Sequence, residues 1–521
     1  MTQITVYDTT LRDGTQMEGV SLTALDKLAI TEKLDWLGIH YVEGGFPASN
    51  PKDEEYFKRV GEFKLRNARI AAFGMTRRAK NAASEDATLL AMLASGAPVV
   101  AVVGKSWDFH ATAVLRVTLE ENLAMIADSI AFLKGRGREV VYDAEHFFDG
   151  YKHNRDYALR TLEAAVSAGA DWIVPCDTNG GCLPGEIAAA IADVRKRFQT
   201  RIGIHCHNDG GLAVANTLAA VSAGATMVHG TINGIGERCG NADLTSIIPN
   251  LSLKMGFGCL PPEGLQKLTE VSRYVWEVTN FLIPNNQPWV GPSAFAHKGG
   301  MHVHAIARDT RTYEHVSPEL VGNERHILIS ELSGASNIQS KLREMKFGVD
   351  KEVTRKILNR VQDLENEGYH FEAADGSFAL LVRKAAGTYK SFFDLEGFRV
   401  MITRDRDGKP VCEATVKLSV GSTRRLTAAE GDGPVDAFNG ALRKALDDIY
   451  PSLRDVQLVD YKVRVVNPRA GTAAKVRVII ESKDNSDHWG TIGVSENIIE
   501  ASYLAMADSI EFKLMKDEEA K

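Results

Sequence analysis

The sequence predicts an α/β protein in which a TIM (β/α)8 barrel is followed by a helical linker region and a C-terminal α+β domain with an internal pseudo-repeat. Three observations predict it. Eight short β-branched or apolar runs alternate with longer amphipathic segments between Ile4 and Asn233, the count and length of a closed (β/α)8 unit. No glycine-rich dinucleotide fingerprint follows the first run, which leaves the doubly wound open sheet without support. The pattern then breaks at Pro284 and changes character again after Gly387.

The strand runs are Ile4–Thr10, His40–Gly45, Arg69–Gly74, Val99–Gly104, Glu139–Glu145, Trp172–Asp177, Ile202–Asn208 and Met227–Asn233. Helical segments between them include Leu22–Leu37, Leu119–Lys134, Asp156–Ala168, Pro184–Phe198 and Gly211–Ala223. Gly38, Gly169 and Gly224 follow three of these and suit helix C-caps. Pro284–Pro288 and Gly291-Pro292 read as turns. Gln339–Glu367 reads as helix, with charged faces at Lys341–Lys346 and Lys351–Asp363. Strand runs at Phe392–Thr403, Glu413–Val420, Val456–Val466 and Lys475–Ser482 then accompany helices at Pro434–Tyr450 and Ile498–Leu514. This order repeats once, with Gly431–Val435 and Gly493–Asn497 opening equivalent helices. The predicted division is 1–283 for the barrel, 284–390 for linker subdomains and 391–521 for the C-terminal domain.

Composition narrows the function classes. The chain has 521 residues, 44% hydrophobic and 25% charged, as in a globular protein. Its apolar runs fall far short of the roughly 18–20 residues of a membrane span, and its N-terminal residues do not read as a secretory signal. A net charge of −7, with the signs well mixed, argues against nucleic-acid or anionic-membrane partners. Six scattered cysteines include no C-x-x-C pair, so they read as reduced thiols of a cytoplasmic enzyme rather than a disulfide framework or zinc ribbon.

In a barrel, chemistry sits at the C-terminal strand ends and the loops beyond them. The unusual polar residues fall there: Asp8–Gln16 after run one, Asp143 and Glu145 ending run five, Asp177-Thr178-Asn179 ending run six, His205-Cys206-His207 ending run seven, and Gly234–Asn241 after run eight. His205 and His207 alternate with Cys206, so both imidazoles leave one face of the strand while the thiol leaves the other. With Asp13 after strand one, which in a closed barrel is adjacent to strand eight and near seven, they would form a mixed N/O set with open positions, suited to Mg²⁺, Mn²⁺ or Zn²⁺ as a Lewis acid. The rival reading is two ordinary polar residues at a barrel mouth, and Asp13 on strand one weighs against it. Arg12 reads as a fixed cation for a developing oxyanion, against a surface salt bridge. The Gly236-Glu237-Arg238 loop is positioned to bring Asn241 towards the metal.

Asp8–Gln16, His205/His207 and Gly234–Asn241, in this order, resemble the DRE-TIM metallolyases, particularly the branch containing 2-isopropylmalate, homocitrate and citramalate synthases. The resemblance covers nearly the whole chain. It implies a divalent metal (Mg²⁺ or Mn²⁺ first, Zn²⁺ as alternative) held by Asp13, His205, His207 and Asn241, and 2-oxoacid contacts from Arg12, Glu145 and Thr178. It also implies that Gly299-Gly300-Met301-His302, followed by Tyr313, supplies a catalytic histidine and tyrosine, typically to the neighbouring subunit of a homodimer. One departure stands out: where related enzymes commonly show His-x-Asp-Gly, this chain reads His302-Val303-His304-Ala305.

The reaction implied is a Claisen condensation of acetyl-CoA with a 2-oxoacid, by an acyltransferase with His302 and Glu145 as alternative bases. Asp143–Tyr151 is similar to the segment of pyruvate-using members, and Phe147 and Phe148 are expected to shorten the pocket. Pyruvate is therefore the expected substrate and 2-oxoisovalerate the alternative. A non-catalytic amino-acid sensor on the same scaffold is the reading from another class; intact Arg12, Asp13, His205, His207 and Asn241 weigh against it. The C-terminal repeat holds no comparable polar cluster, while the free N–H groups of its glycine-opened helices suit a carboxylate. It is expected to bind an end-product amino acid: isoleucine on the citramalate route, leucine on the isopropylmalate route.

Overall fold

A computed structural model describes residues 2–261, 263–328, 338–339, 341–342, 347–348, 351–404, 408–466 and 474–519. Eight parallel strands, β1 (Thr5–Asp8), β2 (Tyr41–Gly45), β3 (Arg69–Met75), β4 (Val99–Lys105), β5 (Glu139–Glu145), β6 (Trp172–Asp177), β7 (Arg201–Cys206) and β8 (Met227–Gly230), close a barrel in sequence order. β8 returns to β1 through the pairs Thr5–Met227 and Asp8–Gly230.

The two-residue period of each strand divides its side chains between two cores. Tyr7, Ala71, Val99, Ala101, Val141, Trp172, Val174 and Met227 fill the interior. Val6, Val42, Ile70, Val100, Val140, Ile173, Ile202 and Ile204 pack outward with helix residues such as Leu34, Ile130, Leu162, Ile191 and Val221. Each fully buried Val or Ile contributes roughly 1.5–3 kcal/mol, so the barrel is a preformed support for its loops. The helices run Ala24–Leu37, Leu119–Gly135, Arg155–Ser167, Pro184–Arg197 and Ala213–Ser222, close to the segments read from the sequence. Gly38, Gly169 and Gly224 adopt φ of 102°, 94° and 114°, the left-handed C-cap conformation.

Three of the expected strand ends come earlier, the first at Asp8 instead of Thr10. β7 stops at Cys206, and His207 continues it as an isolated antiparallel bridge to Asn241. β8 stops at Gly230, after which Thr231 bridges Asp243.

The described chain divides into two compact units, Met1–Phe295 with Val316–Glu324, and Ala296–His315 with Arg325–Lys521. In the second, β9 (Ala296–His297) pairs in parallel with β10 (His326–Ile327). The helical expectation over Gln339–Glu367 is met at Lys351–Glu367, while residues 340, 343–346 and 349–350 lie outside the described residues.

The C-terminal region holds two three-stranded antiparallel meanders: β11 (Asp394–Arg404), β12 (Pro410–Val420) and β13 (Thr423–Gly431), then β14 (Gln457–Val465), β15 (Val476–Lys483) and β16 (His488–Ser495). A helix follows each, Pro434–Leu446 and Ile498–Glu519. The sequence reading missed β13 and β16. β13 is largely polar (Thr-Arg-Arg-Leu-Thr-Ala-Ala-Glu-Gly) with only Ala429 buried, and β16 carries two glycines, so neither shows an apolar β-branched run.

Gly431 and Gly493 also have a different role from the one expected. A Cβ at Gly431 would lie 2.4 Å from the Ala437 N, and one at Gly493 only 2.0 Å from the Ala501 O. Each glycine lets the fourth residue of the following helix lie directly on the sheet, so the pseudo-repeat is a repeat of helix–strand packing. Gly493→Val should therefore destabilise the C-terminal region by about 3 kcal/mol, the upper range for overpacking, read as a lower urea midpoint.

Candidate active site

The β1 loop is built by one carbonyl. Thr9 O accepts from the N–H groups of Arg12, Asp13 and Gly14 at 3.1, 2.9 and 3.1 Å, folding the chain so sharply that Arg12 and Asp13 face the barrel mouth. Asp8 accepts from Thr10 N and Oγ1, and Thr10 Oγ1 accepts from Ile232 N at 2.9 Å, tying this loop to the β8 loop. The β8 loop turns back on itself through Asn241 N–H to Gly234 O at 3.0 Å. It needs Gly240, whose φ is 90° and whose added Cβ would lie 2.0 Å from the Gly234 O. Arg238 then donates to Asp209 at 2.7 Å and to the Thr178 carbonyl at 2.8 Å, linking the loops after β6, β7 and β8.

Asp13, His205 and His207 each offer a ligand atom, and these atoms lie within 4.8 Å of one another. His205 Nε2 is 3.4 Å and His207 Nε2 3.9 Å from Asp13 Oδ2. Burial pushes the His205 imidazole down to about 3 against the pull of Asp13, and pushes His207 down as well. Burial works to raise the Asp13 carboxyl, but Arg12 and the two imidazoles outweigh it and hold it below its ordinary value. The set is therefore one carboxylate and two neutral imidazoles, the protonation states a metal requires. Asn241 Oδ1 and His207 Nδ1 are buried without a hydrogen-bond partner among the described residues, and an orphaned amide oxygen beside such a set is free to be a fourth ligand. The donors present fit a divalent ion. Cys206 takes no part, being packed in the outer core with the helices.

Arg12 donates from Nε to Glu43 Oε1 at 2.5 Å, approaches Asp13 at 3.5 Å and lies 4.0 Å over the Phe73 ring. Burial works against its charge, but Glu43, Asp13 and Asp143 outweigh that and lock it on. The fully buried Glu43 also accepts from Tyr7 at 2.8 Å. Sequence reasoning missed Glu43, in the middle of β2, and Lys105, which ends β4 and forms an ion pair with Glu145; only Lys105 obeys the strand-end rule that found the others.

A cavity of about 510 Å³ opens at this mouth, lined among others by Arg12, Asp13, Lys105, Glu145, Thr178, His205 and His207. The Thr178 Oγ1 accepts from the His146 N–H at 2.9 Å. Asp143 also lines the cavity, its carboxyl pushed well above the usual range by burial and then Glu43. The expectation for Phe147 and Phe148 is not met. His146 adopts φ 55° and starts the helix Phe147–His153, which sends both rings into the outer core. The apolar wall is instead Phe46, Phe73, Met75, Val103 and Cys176.

His302 and Tyr313 belong to the second compact unit, where their rings stack at 4.0 Å. Val303 anchors the short helix Gly300–Ile306 at 1% exposure while Met301 is 80% exposed. Glu314, next to Tyr313, is itself fixed, accepting from Arg325 at 2.5 Å and meeting His297 at 3.1 Å.

The HMGL-like family pattern matches residues 3–275, the homocitrate synthase post-HMGL domain-like pattern 289–369 and the LeuA allosteric (dimerisation) domain 372–514. (R)-citramalate synthase of Aquifex aeolicus is 54% identical over 99% of both chains, and that of Geobacter sulfurreducens 53% identical over 100% of this chain and 99% of its own. The chain belongs to the citramalate synthase family. A 2-isopropylmalate synthase from Methanocaldococcus jannaschii is more distant, at 33% identity over 99% of this chain and 96% of its own. The family match thus extends through the barrel, the region carrying His302 and Tyr313, and the two meanders. No helix among the described residues is long and apolar enough to cross a membrane.

Proposed function

We propose that the protein condenses acetyl-CoA with pyruvate to give citramalate and CoA. The observation that carries this is the Asp13–His205–His207 cluster beside Arg12 in one cavity, in a chain 54% identical over its length to a citramalate synthase. Asp13, His205, His207 and the Asn241 amide oxygen would hold a divalent ion, Mg²⁺ or Mn²⁺ by the oxygen-rich remainder of the site, with Zn²⁺ the alternative. Such an ion polarises the keto carbonyl of the 2-oxoacid as a Lewis acid.

The chain's own residues do the rest. Thr178 orients the 2-oxoacid through its hydroxyl, which keeps a free proton because its oxygen accepts from His146. Arg12, permanently charged and held by Glu43, stabilises the alkoxide as the new carbon–carbon bond forms. Glu145 takes the methyl proton of the acetyl group. His302 and Tyr313, offered by a partner subunit of a homodimer, complete the proton transfers and cover the site, after which water cleaves the thioester. The three-part division into barrel, linker subdomains and C-terminal domain belongs to this reading. Release of free CoA from acetyl-CoA and pyruvate, lost on chelation and regained on adding a divalent metal, tests it. Chelator-insensitive turnover would refute it.

The C-terminal meanders are the seat of control in this reading, with isoleucine as effector. Isothermal titration of the full chain should show isoleucine binding, and a chain ending at Tyr389 should show none. Typical coupling of about 1–3 kcal/mol between effector and substrate sites corresponds to inhibition of roughly 5–150-fold. Binding of leucine but not isoleucine would point to the isopropylmalate route.

A further inference from the structure

The cavity has a cationic side chain on each of two walls. One is Arg12 with the Asp13–His205–His207 cluster, on β1 and β7; the other is Lys105, at the end of β4. In the closed barrel of eight strands β4 lies three strands from both β1 and β7, so Lys105 stands across the cavity from Asp13 and the two histidines. Lys105 and Glu145 are register partners on β4 and β5 and form an ion pair, with side chains 15% and 24% exposed. The Lys105 backbone is fixed by Asn122 Nδ2 donating to its carbonyl at 2.8 Å. Strand alternation turns Val103 and Lys105 into the cavity and Gly104 away, towards Tyr142 and Ile126. Arg12 is already committed to Glu43 and Asp13, which leaves Lys105 as the cation lining the opposite wall.

We propose that Lys105 is the oxyanion donor for the acetyl thioester, acting with Glu145 as an enolising pair. This rests on the condensation reading above. An acetyl thioester presents its carbonyl oxygen and methyl hydrogens on adjacent carbons, and an ammonium and a carboxylate in contact match that spacing. Glu145 takes a methyl proton, the C–H pair becomes the enolate double bond, and the carbonyl π pair moves to the oxygen held by Lys105. As the methylene carbon attacks the keto carbon, the thioester carbonyl re-forms and the keto π pair becomes the alkoxide at Arg12. A preorganised ammonium is worth most where charge appears only in the transition state.

The test compares wild type, Lys105→Met and Lys105→Arg, each loaded with metal, using acetyl-CoA and its trideuteromethyl form with pyruvate. Lys105→Met should lower kcat by about 100-fold or more, the effect of losing one oxyanion donor, with the KM for pyruvate unchanged within about threefold. The deuterium isotope effect on kcat should rise, because enolisation becomes rate-limiting. Lys105→Arg, which keeps a cation of similar reach, should recover part of the loss. A kcat within threefold of wild type, or a loss without a rise in the isotope effect, overturns the proposal. So does a rise in the KM for pyruvate alone, which would make Lys105 a 2-oxoacid ligand. Recovery of Lys105→Met to wild-type turnover at alkaline pH also overturns it, leaving Lys105 only to keep Glu145 ionised. If wild type releases no CoA with any 2-oxoacid, the condensation reading fails and takes the proposal with it; failure of Lys105 alone leaves wild-type turnover intact.

Discussion

Asp13→Ala should abolish turnover, by more than about 10³-fold, while leaving the fold in place. Lewis-acid polarisation of the keto group is worth several kcal/mol, and each 1.36 kcal/mol is a factor of ten in rate. Asp13 is also the only carboxylate of the cluster, so its loss leaves two neutral imidazoles and an amide to bind a dication. The barrel should tolerate the change because Arg12 keeps Glu43 as its partner and the loop is held by backbone bonds to Thr9 O. His207→Ala should behave alike. Metal content by atomic emission and the thermal unfolding midpoint separate the outcomes: metal lost with the midpoint little changed is expected, and near-normal metal and turnover would remove the assignment.

His302→Ala should lower kcat by about 10²–10⁴-fold, the usual contribution of a positioned acid or base, with a smaller change in 2-oxoacid affinity. Tyr313→Phe, which keeps the ring stacked on His302 at 4.0 Å and removes only the phenol O–H, should act in the same direction through the loss of that proton donor. At the departure His304-Ala305, the His302 ring stacks on Tyr313, and the neighbouring Val303 is buried. Mixing His302→Ala with Arg12→Ala protein should restore part of the activity through hybrid dimers. No recovery despite proven subunit exchange would mean that each subunit uses its own histidine.

Much of this was legible in the sequence because the barrel writes its rules locally. The strand runs and helix-capping glycines set the eightfold order, and the alternation in His205-Cys206-His207 separated the ligand face from the core face. What was not legible depends on turns of the backbone. The left-handed His146 sends Phe147 and Phe148 outward, so the aromatic run read as a pocket wall is core. Gly431 and Gly493 looked like helix openers, but the space they leave is taken by helix backbone. Lys105 was missed because the valine-rich run was read as ending at Gly104, one residue short of the strand end. β13 and β16 are held by their neighbours in the meander and not by hydrophobic runs of their own.

The most direct test of the central claim is a comparison of kcat/KM, by free CoA release, for pyruvate, 2-oxobutyrate, 2-oxoisovalerate and 2-oxoglutarate at saturating acetyl-CoA. A wall of Phe46, Phe73, Met75 and Val103 in the cavity that holds Arg12, Asp13, His205 and His207 should favour the smallest side chain. One extra methylene in an apolar pocket changes specificity by about 10–200-fold. Pyruvate should lead, and citramalate should be the product by mass spectrometry. Preference for 2-oxoisovalerate, or no CoA release with any of the four, would contradict the account.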